Sequence, residues 1–206
     1  MKIAFINGTR QSNKNREIFS KLEVIANKYN REVYNLGMYN DEYDLSYVEI
    51  GVLVSILINS NLFDFVITGC TSGQGISVVC NSFPNVICGH IENSYDAYSF
   101  VQVNAGNVVS IPFTDELNIN YEEIFDSLLK EDRGYGYPKD HFDRQRFDRL
   151  VVNEIRNTTH KDFLTILKGF DKNMLIKIVN YKEMKELINN NSNEILDYLK
   201  EYIKRD

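Results

Sequence analysis

The sequence predicts an α/β protein: a doubly wound, Rossmann-like three-layer αβα sandwich with a five-stranded parallel sheet, plus a mainly helical C-terminal extension. Three observations predict it. Short apolar runs alternate five times with segments of helical periodicity. The runs are largely apolar on both faces, as strands covered by two helix layers must be. A polar turn follows the first run and a glycine-rich turn the third, at the strand ends where such sheets hold ligands.

The first strand is 2–6, apolar and at the start of the chain. A polar turn, 8–13, leads to a helix over 15–29, whose Ile18, Phe19, Leu22, Ile25 and Ala26 share one side. A second strand, 32–35, is closed by Gly37. The strongest helix is 45–59, with Val48, Val52, Leu53, Ile56 and Leu57 along one side. The third strand, 63–68, enters the glycine turn and a helix over 74–81. A strand at 85–89, a helix at 94–103, a strand at 107–112 and a helix at 121–130 complete the alternation.

Past Asp132 the character changes. RGYGYP, 133–138, reads as a loop. Residues 140–156 have helical spacing at Phe147, Leu150, Val151 and Ile155, and 163–170 continue it. Residues 174–179 read as an extra strand, 189–193 as a loop and 194–203 as a final amphipathic helix. The expected division is a Rossmann-like domain, 1–150, and an accessory segment, 151–206, packed on the sheet or on a partner subunit.

The 206 residues, 43% hydrophobic and 25% charged, have the composition of a soluble globular protein. A net charge of −6 argues against a nucleic-acid-binding stripe. No run approaches the ~18 apolar residues of a membrane span. The short apolar run at the start reads as lacking the long apolar core of a signal peptide. Three cysteines, Cys70, Cys80 and Cys88, an odd number with no close pair, read as no disulfide framework, so a reducing cytoplasm is the expected location. Their spacing with the three histidines is not that of a zinc site.

The chemistry concentrates in ITGCTSGQGIS, residues 67–77. Glycines let the backbone approach a ligand, and the exposed N–H groups favour an anion. Cys70 stands where that field favours a thiolate, and Ser72 can donate toward a developing oxyanion. Cys80 and Cys88 lie inside apolar segments and read as small core residues. A cysteine-dependent phosphatase needs an arginine six residues after its nucleophile; Ile76 stands there, which argues against that class.

Three stretches resemble the ribose-5-phosphate isomerase B and galactose-6-phosphate isomerase family: MKIAFINGT, ITGCTSGQGISVVCNSFPNV and NAGNVVSI, within about residues 1–150. The RGYGYP loop and the extension resemble a longer subgroup. The resemblance implies an aldose–ketose isomerase working through an enediolate, with no metal or organic cofactor. It makes Cys70 the base that moves a proton between C1 and C2. It makes Ser72 and the N–H groups of Gly73 and Gly75 the oxyanion donors. Asn104 would reach the substrate, in the family often across a dimer interface, so a homodimer or homotetramer with shared sites is implied. Thr71, Asn7, Arg10, Tyr47, Arg133, His141 and Arg144 complete the expected substrate-binding set, with Lys139 a further candidate and Asp44 near Tyr47.

Two departures bear on the substrate. The usual Asp-His pair of the first turn is replaced here by Asn7, Gly8, Thr9 and Arg10, and the ring-opening histidine by Val103. Valine cannot move a proton. A substrate that is already open-chain, or another acid such as His90, accommodates this. The plainer readings stand beside these roles. Arg144, Arg146 and Arg149 alternate with Asp140, Asp143 and Asp148 and read as solvated helix ion pairs. Asp44 reads as a cap of the following helix, and Asn81 as a tie within the turn. Two rival functions are a non-catalytic sugar-phosphate sensor of the same fold and a flavodoxin-like nucleotide or flavin binder.

Overall fold

The computed structural model describes residues 1–40 and 44–204. Five parallel strands form one sheet in the order β2-β1-β3-β5-β4. They are β1 (Lys2–Asn7), β2 (Glu32–Asn35), β3 (Phe65–Cys70), β4 (Cys88–His90) and β5 (Val108–Pro112). Register is set by pairs such as Ile6 with Thr68 and Thr68 with Ser110.

Helix α1 (Asn15–Lys28), α4 (Ser94–Ser99) and α5 (Tyr121–Leu129) cover one face. Ile18, Leu22, Ile124, Phe125 and Leu128 pack there on Ile3, Phe5, Ile67 and Val109. The other face carries α2 (Tyr47–Asn59) and α3 (Gln74–Cys80). There Ile50, Leu53, Val54, Leu57 and Ile76 bury Ala4, Ile6, Val66 and Val108. Helix α2 starts in a capping box: Ser46 Oγ accepts from Glu49 N, and Glu49 accepts from Ser46 N. The cap is therefore Ser46, and Asp44 is left outside the helix.

Chain order reverses direction across the sheet between β1 and β3. A crevice opens at the carboxyl ends of those two strands, because the helices that follow them lie on opposite faces.

Among the described residues the regular elements of the extension are all helices: α6 (Phe142–Thr159), α7 (Phe163–Lys168), α8 (Lys172–Val179), α9 (Lys182–Asn190) and α10 (Glu194–Lys200). The expected strand over 174–179 is helix α8. Its run of aliphatic residues suits either state. Asp171 caps it by accepting from Met174 N, and Leu175, Ile178 and Val179 share one buried side. Residues 163–170 do not continue α6, because His160 is extended and Asp162 caps a new helix. Residue 150 lies within α6.

Helices α7–α10 bury Leu167, Leu175, Ile178, Met184, Ile188, Leu196 and Leu199 in the same core as α2. Tyr181, fully buried, donates to Leu36 O at 2.8 Å. Lys177 Nζ meets Glu49 Oε2 at 2.9 Å. Burial opposes ionisation of Glu49, but the bonds from Lys177 and Ser46 outweigh it and hold the carboxyl below its ordinary range. Helix α6 differs from the rest of the extension. None of its eighteen residues is buried, and Phe147, Leu150, Val152 and Ile155 are exposed along it. No helix among the described residues is long and apolar enough to cross a membrane.

Candidate active site

A cavity of about 520 Å³ occupies the crevice at the carboxyl ends of β1 and β3. Gly8, Thr9 and Arg10 line it from the first turn, Asp44 to Tyr47 from the entry to α2, and Cys70, Thr71, Ser72 and Gly75 from the glycine turn. The fold thus brings together Cys70, Thr71, Ser72, Gly75, Arg10 and Tyr47 from three separate parts of the chain.

Close backbone approach explains the composition of the two turns. Gly8 N donates to Gly69 O at 2.6 Å. A Cβ on Gly8 would lie 3.1 Å from Cys70 Cβ. A Cβ on Gly69 would lie 2.1 Å from Ile111 O and 2.7 Å from the Phe113 ring. Gly73 has φ 70°, the left-handed region, and heads α3. Gln11, nearly buried, donates from Nε2 to Thr71 Oγ1 at 2.8 Å and stitches the first turn to the second. Ser72 Oγ accepts from Gln74 N at 3.3 Å, which leaves its own O–H to donate elsewhere. Among the described residues, the Gly73 and Gly75 N–H groups have no partner within the chain. Tyr47 stands half in solvent with its ring against Gly75.

Cys70 ends β3 and is half-buried; Cys80 and Cys88 are buried. Contact with Cys88, reinforced by burial, pushes the Cys80 thiol well up. Asn81 is a structural tie: its amide donates to Ser77 O and Cys88 O and accepts from Cys88 N.

Six expected positions are elsewhere. Asn7 does not line the cavity. It is fully buried, donates to Gly8 O and accepts from Asn15 Nδ2 at 2.6 Å, so its amide shapes the first turn instead. Arg133 lies at the amino ends of the strands, beside Met1, Asp64 and Asp132. Its guanidinium donates to Gly106 O at 2.9 Å and covers the Phe65 ring. Asn104 ends a π-helical turn, Phe100–Asn104, and lines a separate cavity of about 210 Å³ with Val103, Gln145, Arg149 and Val152. His141 and Arg144 are exposed at the start of α6, away from the crevice, as is Lys139.

The expected ion-pair ladder on α6 is not formed among the described residues. Arg149 donates instead to Val103 O and Gly134 O and pins the RGYGYP loop. That loop is also held by Gly134 N to Val101 O and Gly136 N to Gln102 O.

Thr9, Leu45 and Ser46 line the cavity without having been singled out from the sequence. Thr9 and Leu45 are joined by a 2.7 Å hydrogen bond from Thr9 Oγ1 to Leu45 O, a contact between distant turns that has no local signature. Among the described residues, no group of three or more His, Cys, Asp or Glu side chains is placed to hold a metal ion.

The ribose/galactose isomerase family matches residues 3–137, which include every residue of this crevice. The chain belongs to that family. Its structure superposes with a TM-score of 0.92 on a 4-deoxy-L-threo-5-hexosulose-uronate ketol-isomerase complexed with a tartrate. The two are 38% identical over 98% of this chain and 99% of the other. A ribose-5-phosphate isomerase from Vibrio parahaemolyticus also gives a TM-score of 0.92, at 31% identity and the same coverage. Ribose-5-phosphate isomerase B from Clostridium thermocellum, at 24% identity and a TM-score of 0.61, shares the fold and covers 78% of this chain and all of its own. The extension is therefore common to the two full-length neighbours. No curated protein matches the chain. The protein is a sugar isomerase of this family.

Proposed function

We propose that the protein interconverts an aldose and a ketose by moving one proton between C1 and C2, with Cys70 as the base. The observation that carries the reading is the crevice itself. A half-buried thiol faces the same cavity as Ser72, Gly75 and Arg10, at the point where the sheet reverses. In its thiolate form Cys70 takes the C2 proton of the open-chain aldose. The electron pair moves onto the C1 carbonyl oxygen, giving an enediolate. Ser72 Oγ–H and the free N–H groups of Gly73 and Gly75 hold that oxygen. Return of the proton to C1, with transfer of the O2 proton to O1, completes the ketose. No atoms are gained or lost.

The substrate reading is a sugar phosphate, ribose 5-phosphate-like or a hexose 6-phosphate. A second reading, a hexosulose uronate, is favoured by the 38% identical neighbour that acts on one. Val103 favours it too, because a substrate that needs no ring opening needs no histidine there. Both are anionic, and among the described residues Arg10 is the cation on the cavity wall. Arg10→Ala is expected to raise KM by about 10- to 100-fold with a smaller change in kcat, the effect of losing one charge-assisted hydrogen bond. Initial rates against substrate concentration check this.

The deciding experiment is proton NMR in heavy water with ribose 5-phosphate, galactose 6-phosphate and 4-deoxy-L-threo-5-hexosulose uronate. Deuterium entering at C1 or C2 supports the isomerase, and the sugar that exchanges identifies the class. Binding without exchange on every sugar favours the sensor reading instead.

The reading includes a homodimer through α6. The apolar side of that helix is open, and Asn104, His141 and Arg144 lie around it. These three can belong to a shared site only if a second copy brings them to the crevice of the first. Phe147→Glu should give a monomer by sedimentation with loss of activity. A wild-type monomer at micromolar concentration would refute the dimer.

A further inference from the structure

We infer that His90 is a positioning residue for the oxyanion donors of the glycine turn; the inference rests on the isomerase reading above. His90 ends β4, one strand beyond β5, and its ring lies against Gly73. Its Nε2 is 2.8 Å from Ser72 O. A carbonyl oxygen only accepts, so Nε2 carries the proton. Nδ1 faces Gln74 Nε2 at 3.4 Å and the Glu92 carboxylate at 3.8 Å.

The consequence follows from peptide geometry. The Ser72 carbonyl and the Gly73 N–H belong to one planar unit and, in a trans peptide, point in opposite directions. Holding the carbonyl on His90 aims the Gly73 N–H away from His90. The next peptide is held in the same way: Gly73 O accepts from Ser110 Oγ at 2.6 Å. With φ 70° at Gly73, the backbone between these two units has no Cβ to restrain it. A flip of the Ser72–Gly73 peptide would turn a carbonyl oxygen to where an N–H is required. His90 opposes that flip. His90 does not line the cavity and acts through the backbone.

The test uses the full chain and whichever of the three sugars above exchanges deuterium. His90→Leu removes the donor while keeping an apolar body. His90→Asn keeps polarity but is too short to reach Ser72 O. His90→Gln places an amide N–H near the original Nε2. The expected result is a kcat about 10-fold or more lower for H90L and H90N, short of the ~10²–10³ of a deleted oxyanion donor. KM should stay within about threefold and H90Q should recover most of the rate, because only transition-state stabilisation is lost. If H90L does not fold, the H90N and H90Q pair decides. Wild-type kcat in H90N would overturn the inference, as would an equal loss in H90Q, which would make the imidazole itself the reacting group. Absence of exchange by the wild-type protein on all three sugars would remove the isomerase reading and the role of His90 with it. Exchange by wild type and by H90N alike would remove the role of His90 alone.

Discussion

Cys70→Ala lowers the rate of deuterium exchange by about 10²–10⁴-fold, the contribution of a positioned general base. The thermal midpoint should change little, because the side chain is half-buried and the cavity already lies beside it. Substrate binding should persist, since Arg10, Ser72 and the glycine N–H groups are untouched. Exchange kinetics by NMR and a thermal melt on the same preparation check both halves. Cys70→Ser should be as slow as Cys70→Ala, because an unassisted hydroxyl is a far weaker base than a thiolate. Full exchange in the alanine variant would take the sulfur out of the mechanism. Cys80→Ala is the control: its thiol is buried against Cys88 away from the cavity, and its loss should leave the rate unchanged.

Gly69→Ala is expected to destabilise the fold by about 3 kcal/mol or more and to abolish activity, because overpacking here meets backbone rather than a movable side chain. The added Cβ would lie 2.1 Å from Ile111 O, the strand paired with β3, and 2.7 Å from the buried Phe113 ring. To relieve that contact β3 and β5 must separate at the end that carries Cys70. The sulfur then moves relative to Gly8 and Ser72, and misplacement on the ångström scale is costly to a proton transfer. Urea unfolding measures the stability change. A variant with wild-type midpoint and rate would show that the strands yield more easily than their packing indicates.

The alternation of strands and helices was legible because each element carries its own periodicity. Helix α1 reads from Ile18, Leu22 and Ala26, all of them buried. β1 and β3 read as short, mostly apolar runs, and each buries every residue but one at its end, Lys2 and Cys70. Edges were less legible. β3 begins at Phe65 rather than at 63, and β4 is only Cys88–His90. Periodicity cannot say where pairing stops, since that depends on the neighbouring strand. Residues 174–179 were misread for a related reason. An aliphatic run fits a strand or a buried helix, and the Asp171 cap together with the core formed with α2 settled it.

The site divides along the same line. Residues 67–77 announced themselves, because glycines around a thiol and hydroxyls at a strand end have few structural explanations. Asn7 and Arg133 looked equally functional in sequence, yet one is fully buried in the turn and the other braces the far end of the sheet. A polar side chain is chemically identical whether it binds substrate or backbone, and only its neighbours distinguish the two. His90 shows the converse. In sequence it is one histidine at a strand end; in space its Nε2 meets the Ser72 carbonyl. By itself the sequence determined the layers, the parallel sheet and the cysteine turn, because these rest on local pattern. The tertiary structure alone decided which of the polar residues share the crevice, because that depends on contacts between turns far apart in the chain, which no local pattern encodes.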